Sequence, residues 1–207
     1  MLKIKDISYT LPNHLSLFRN ISLSINSEEI IGLSGKSGLG KTTLAKIVAG
    51  YIRADHGDIN VQQKKDKPHP VQLIWQNPEQ AVNPKWRIDK ILAEAGTLDP
   101  SIIKKLKISE EWLHRYPEQL SGGELQRVCI ARCLLARPEF IIADEMTTML
   151  DPISQAEIFK MLLEHVQTNH IGLLIISHDK ILLNNLCDKV IDFKQLMKPK
   201  KEINRIQ

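Results

Sequence analysis

The stretch IIGLSGKSGLGKTTLAKIV, residues 30–48, decides how the rest of this chain is read. Ile30, Ile31 and Leu33 make a short apolar strand. Gly35, Lys36, Ser37, Gly38, Leu39, Gly40, Lys41 and Thr42 follow as G-x-x-x-x-G-K-[ST], and a helix begins near Lys41 with apolar Leu44, Ile47 and Val48. A loop that wraps a triphosphate must turn backbone N–H groups inward, which glycines permit. The helix then starts at the phosphates, so its free N–H groups and positive dipole end face negative charge. Lys41 is placed to reach the β- and γ-phosphates, and the Thr42 hydroxyl to ligate Mg²⁺.

Working outward, residues 2–31 alternate apolar and polar around a Pro12-Asn13-His14 break, which predicts antiparallel strands with one wet face. Tyr9 in the first of them either packs in the core or stacks on an adenine ring. Downstream come a turn at Asp55 to Asp58, a short strand at 59–61, and a lysine-rich loop, QQKKDKPHP, at 62–70. A second apolar strand at 71–75 ends on Gln76. Residues 76–120 then read as a small helical lobe, with segments at 86–95 and 101–115 and breaks at Pro84 and Pro100.

Ser121 is placed to cap a helix over 125–136, giving a second anion-ready helix start. A fully apolar strand at 139–143 ends on Asp144 and Glu145, where ligands bind in open α/β sheets. Alternation sends the two carboxylates in different directions, so Asp144 can hold Mg²⁺ and Glu145 can polarise an attacking water. A helix at 153–168 leads to a strand at 171–176, and His178 stands just past it, placed like Gln76 and Glu145 to sense a γ-phosphate. A short strand at 189–193 and a basic tail, MKPKKEINRIQ, close the chain.

The 207 residues allow one sizeable core with a small inserted lobe. A net charge of +4 demands no acidic partner. The charged N-terminus does not read as a signal peptide, and no apolar run approaches the roughly 20 residues of a membrane span, which places the chain in the cytosol. Cys129, Cys133 and Cys187 are expected to be reduced, packed thiols.

In this order the pieces resemble the ATP-binding subunit of an ABC transporter over most of the chain, from Tyr9 to about Phe193. The most specific part is LSGGE at Leu120 to Glu124, running into Leu125-Gln126-Arg127. WQNPEQAVNP at 75–84 and RYPEQLSGGELQRVCIARCLLARP at 115–138 are similar to the subfamily serving peptide, nickel and metallophore importers.

The resemblance implies an α/β P-loop NTPase fold: a mainly parallel sheet, an antiparallel β part and a helical insert. The nucleotide-binding core would be 1–75 with 121–193, the helical part 76–120 and the tail 194–207. It implies ATP held by Tyr9 and by Gly35 to Thr43, including Thr43 itself, and Mg²⁺ held by Thr42, Gln76 and Asp144. Glu145 would be the catalytic base, with Lys41, Gln76 and His178 completing the catalytic set and Asp151 ending the D-loop. Ser121, Gly122, Gly123 and Glu124 would contact a nucleotide held by a second ATPase subunit, a copy or a paralogue. Permease subunits and a solute-binding protein are the other implied partners, with no nucleic acid, and the subunit would lie on the cytoplasmic face of the cell membrane.

The sequence departs from the family at Met146, where proline is usual, and at Thr148-Met149-Leu150 in the D-loop. Its helical lobe is short, and its end soon after Phe193, without the extension many peptide-importer subunits carry, counts against peptide as cargo. Two other classes compete. A soluble ABC protein working on ribosomes or nucleic acid usually needs two cassettes or a long coiled coil. An unrelated P-loop kinase or GTPase is excluded by the LSGGE helix and by the lack of an N-K-x-D motif.

Overall fold

The computed structural model of the chain describes residues 1–63 and 67–197. Part of the expected lysine-rich loop (64–66) and most of the basic tail (198–207) lie outside the described residues.

Two sheets share the fold. The first is antiparallel, in the order β2-β1-β4, from β1 (Leu2–Thr10), β2 (Ser16–Ile25) and β4 (His56–Asn60). The second is wholly parallel, in the order β5-β6-β7-β3-β8, from β3 (Ile30–Ser34), β5 (Val71–Ile74), β6 (Phe140–Asp144), β7 (Gly172–Ser177) and β8 (Lys189–Asp192). β3, β6 and β7 are buried along their whole length, as continuous apolar strands covered on both faces must be.

The alternation in β1 and β2 does not run unbroken. Asp6 and Asn20 take left-handed backbone angles (φ 53° each) and the pairing register shifts beside them. Ser22 and Ser8 hydroxyls accept from the freed Asp6 and Asn20 N–H groups (2.9 and 3.0 Å), so both bulges are satisfied locally. The strand expected at 59–61 starts earlier, at His56. Pairing with β1 recruits the predicted turn, and Gly57 (φ 94°) lets it pass within contact of the Lys5 and Asp6 backbone.

The helices are α1 (Lys41–Val48), α2 (Ile88–Ala93), α3 (Pro100–Lys105), α4 (Glu110–Leu113), α5 (Gly122–Leu135), α6 (Pro152–Thr168), α7 (Lys180–Leu186) and α8 (Phe193–Leu196). The segment expected at 101–115 is two helices, because Lys107 turns left-handed (φ 53°) and breaks the run before Glu110. α7, started by Asp179 accepting from Ile181 and Leu182 N–H, was not expected from the sequence.

The parallel sheet divides the apolar interior into two clusters. Ile141 and Ala143 of β6 face one, with α5, α6 and the helices of the lobe. Phe140 and Ile142 face the other, with α1 and the antiparallel sheet. α1 buries Leu44, Ala45, Ile47 and Val48 against the second cluster. Each such Leu or Ile contributes about 1.5–3 kcal/mol by leaving water, so packing rather than helix propensity holds this eight-residue helix in place.

Candidate functional site

The glycine loop joins the end of β3 to the start of α1. Gly38 and Gly40 adopt left-handed angles (φ 81° and 98°) that side chains resist. A Cβ on Gly40 would lie 2.9 Å from Leu17 and Phe18, so the loop is seated directly on β2. Gly40 precedes α1 with no side-chain cap, leaving the first N–H groups of the helix for an outside acceptor. Lys36 and Ser37 are exposed on the outer turn, and Leu39 and Thr43 are partly buried. Lys41 is buried, its Nζ donating to Gly35 O (2.8 Å) and Lys36 O (2.9 Å) inside the loop.

Asp144 ends β6 at 2 % exposure. Burial pushes its carboxyl above the ordinary carboxylate range. The Thr42 hydroxyl bonded to it and the nearby Lys41 pull the other way, and Glu145 adds to the rise. A cleft of about 330 Å³ opens here, lined by Thr42, Lys46, Trp75, Gln76, Asp144 and Met149.

Glu145 follows with a left-handed backbone (φ 45°), its N–H held by Ile176 O at 3.0 Å. That twist turns its side chain away from the strand's alternation, toward Gln76 and His178. Gln76 Nε2 donates to Glu145 Oε2 (3.0 Å), and His178 Nδ1 lies 3.5 Å from Glu145 Oε1. Three residues from the ends of three adjacent strands, β5, β6 and β7, thus meet at one carboxylate.

Tyr9 pairs with Phe18 across the β1–β2 register, ring centroids 6.3 Å apart and tilted by 36°. Phe18 in turn meets Gly40 and packs edge-on to Phe193 at 6.0 Å. Tyr9 is therefore one ring removed from the loop, half-buried against the core.

Ser121 and Glu124 lie elsewhere, at the start of α5. Ser121 Oγ accepts from Glu124 N–H (3.3 Å) and Glu124 Oε2 accepts from Ser121 N–H (2.7 Å), a reciprocal capping box. A Cβ on Gly122 would lie 3.8 Å from Met149, and one on Gly123 would lie 3.1 Å from Leu150, so the helix start rests on the D-loop. Asp151 ends that loop by capping α6, accepting from Ile153 and Ser154 N–H (3.1 and 3.0 Å). Among the described residues, no hydrogen bond or ion pair joins 121–124 to 35–42.

Sequence reasoning missed Met149 and Lys46 on the cleft wall. Met149 stood out only as a departure in the D-loop, and Lys46 was not singled out at all. Met146, the other departure, is 2 % exposed and packed in the core.

A parallel sheet ending in a glycine loop, an uncapped helix start and a buried carboxylate beside a threonine hydroxyl defines a P-loop nucleoside triphosphatase. The comparisons narrow the class. The sequence profile of the ABC transporter family matches residues 18–148, and the chain belongs to that family, as an ATP-binding and ATP-hydrolysing subunit. It is 30% identical, over 92% of its length and 82% of the relative's, to the nickel import ATP-binding protein NikE of Escherichia coli O6:K15:H31. It is 28% identical to the oligopeptide transport ATP-binding protein OppF of Haemophilus influenzae, over 90% of this chain and 63% of that one. Its fold matches the dimeric post-hydrolysis state of the ATP-binding cassette MJ0796 bound to ADP and Pi, with a TM-score of 0.79 at 22% identity, covering 93% of this chain and 94% of the other.

Proposed function

We propose that this subunit powers uptake of a small solute, nickel or a metal complex ahead of a short peptide, through membrane permeases that it serves from the cytoplasmic side. The resemblance at 75–84 and 115–138 and the nickel-import relative support the direction and the cargo class. Among the described residues no helix is long and apolar enough to cross a membrane. A solute-binding protein is the expected third component.

Within the subunit the glycine loop binds the triphosphate. Its backbone N–H groups and Lys41, freed from the Gly35 and Lys36 carbonyls, take the β- and γ-phosphates. Tyr9 offers a partly exposed ring to the adenine. Thr42 and Asp144 fit a Mg²⁺ ion: a buried carboxylate pushed toward protonation by its surroundings, with a hydroxyl bonded to it, is an oxygen donor set that a hard cation stabilises. The ion supplies charge neutralisation at the phosphates.

The observation that carries the chemistry is Glu145 held between Gln76 and His178. Glu145 accepts the proton of the attacking water, Gln76 positions that water and links the cleft to the helical lobe, and His178 holds the γ-phosphate side. Ser121 and the glycines after it complete the site of a second ATPase subunit, since among the described residues no hydrogen bond or ion pair ties them to this chain's own loop. ATP then closes two subunits together, and hydrolysis releases them.

Glu145→Gln tests the assignment. ATP binding is expected to persist while turnover falls by about 10²- to 10⁴-fold; near wild-type hydrolysis would remove Glu145 as the base. Proteoliposomes carrying the subunit with its permeases should accumulate radioactive nickel only with ATP. Outward movement would reverse the proposed direction, and accumulation of a short peptide in place of nickel would reassign the cargo.

A further inference from the structure

α5 carries Ser121 at its start, but its body also grips the segment that holds Gln76. Two of its side chains, three residues apart on one face, donate to backbone carbonyls on either side of Gln76. Gln126 Nε2 reaches Trp75 O (3.2 Å) and Cys129 Sγ reaches Pro78 O (3.6 Å). Both donors are deep in the protein, at 0% and 5% exposure. Burial pushes the Cys129 thiol up to about 12, so it stays an S–H donor at neutral pH.

From the other side, Trp75 is fixed by its ring. Tyr51 meets it edge-on at 5.1 Å, and Lys46 Nζ stands 4.6 Å over it from α1. The junction is not fully bonded, because Trp75 Nε1 and Gln126 Oε1 are buried with no hydrogen-bond partner among the described residues. A buried polar atom left without a partner costs about 1–3 kcal/mol, so two at one junction ask for a reason beyond stability.

We propose that Gln126 and Cys129 are positioning residues that hold Gln76 against Glu145, making the reach of Gln76 depend on the pose of the helix that begins at Ser121. The inference rests on the role given to Gln76 above. α5 is a continuous fourteen-residue helix. A tilt imposed at Ser121 to Glu124 therefore moves Gln126 and Cys129 with it, and they pull on the carbonyls flanking Gln76. The contact made to the second subunit is in this way reported to this chain's own water-positioning group through one rigid rod.

The test is a double-mutant cycle on the full chain, reading kcat, KM for ATP and melting temperature. Gln126→Met keeps the length of the side chain, removes the donor to Trp75 O and also removes the unpartnered Oε1. Its melting temperature should equal or exceed that of the parent, while kcat falls about fivefold to tenfold with KM for ATP unchanged. In a Gln76→Ala background the same substitution should have no further effect. Cys129→Ala should behave alike with a smaller drop, and Cys129→Ser, which restores a donor, should recover the parent rate. If Gln126→Met does not fold, the Cys129 pair runs the same cycle.

An unchanged kcat in the folded variant, or an equal drop with and without Gln76, overturns the proposal and leaves the role of Gln76 standing. If Gln76→Ala alone leaves kcat unchanged, that role falls and the positioning proposal falls with it.

Discussion

Two helix starts in this chain for which phosphate contacts are proposed are finished differently. α1 begins at Gly40 with no side chain over its N–H groups, directly after a loop whose Gly38 and Gly40 are left-handed. α5 begins at Ser121 with a capping box that engages the N–H groups of Ser121 and Glu124 and leaves those of Gly122 and Gly123 between them. The first start leaves its donors for a ligand. The second is half engaged within the chain, so fewer donors, those of Gly122 and Gly123, remain for a ligand. On the proposed function, a full set of free donors at α1 and a smaller one at α5 suit an ATP held by one subunit and contacted by another.

The largest expected way to break this comparison is Gly40→Val. The left-handed backbone and the 2.9 Å approach to Leu17 and Phe18 leave no room for a branched side chain. Strain of about 1–3 kcal/mol would be relieved only by distorting the loop, raising the Kd for ATP roughly tenfold to a hundredfold. Nucleotide titration calorimetry reads it, and an unchanged Kd would mean that the backbone there is not part of the cradle.

Ser121→Ala is the matching change at α5. Losing the cap should cost about 1 kcal/mol of stability, seen in a denaturant midpoint. ATP binding to the subunit alone should stay as it was, while ATP-driven association and turnover drop. If Ser121→Ala weakens ATP binding in the lone subunit as much as Gly40→Val does, the distinction between the two helix starts collapses.

The smallest effect comes from a third start, that of α6, capped by a charge. Bonding to Ser154, then the backbone N–H groups that follow, holds the Asp151 carboxyl below its ordinary 3.8. A carboxyl lowered in the folded state contributes stability above its ordinary value, and that contribution is lost as pH falls through the lowered one. Asp151→Asn keeps a capping oxygen without the charge. The advantage of the native chain over this variant, followed by thermal melts, should therefore shrink as pH drops below about 4. An advantage that does not vary with pH would show that the charge contributes nothing at this helix start.

What could be read in advance was what is local. The glycine loop, the buried strand ending on Asp144 and Glu145, and the cap at Ser121 each fit within a few residues, and the structure carries all of them. The five-stranded parallel sheet and the three-stranded antiparallel one also match the expected fold class. Glu145, Gln76 and His178 could each be placed at a strand end, but their meeting could not be derived from spacing, since it depends on the order β5-β6-β7. The bulges at Asp6 and Asn20, the helix break at Lys107 and the grip of Gln126 on Trp75 follow from partners or strain that no periodic pattern announces. Met149 is the plainest miss, because its meaning lies in touching both Gly122 and the cleft.

The division of β6 between two apolar clusters bears on how this chain can change over evolutionary time. Alternate residues of β6 serve opposite cores, and the same strand ends by aiming Asp144 into the cleft. Swapping one aliphatic residue for another within it is a repairable error. Inserting or deleting one residue is not, because it would trade the two faces and move Asp144 off the cleft in the same step. Descendants of this sequence should therefore vary the letters of Phe140 to Asp144 while keeping their number, and take their length changes in the loops between strands.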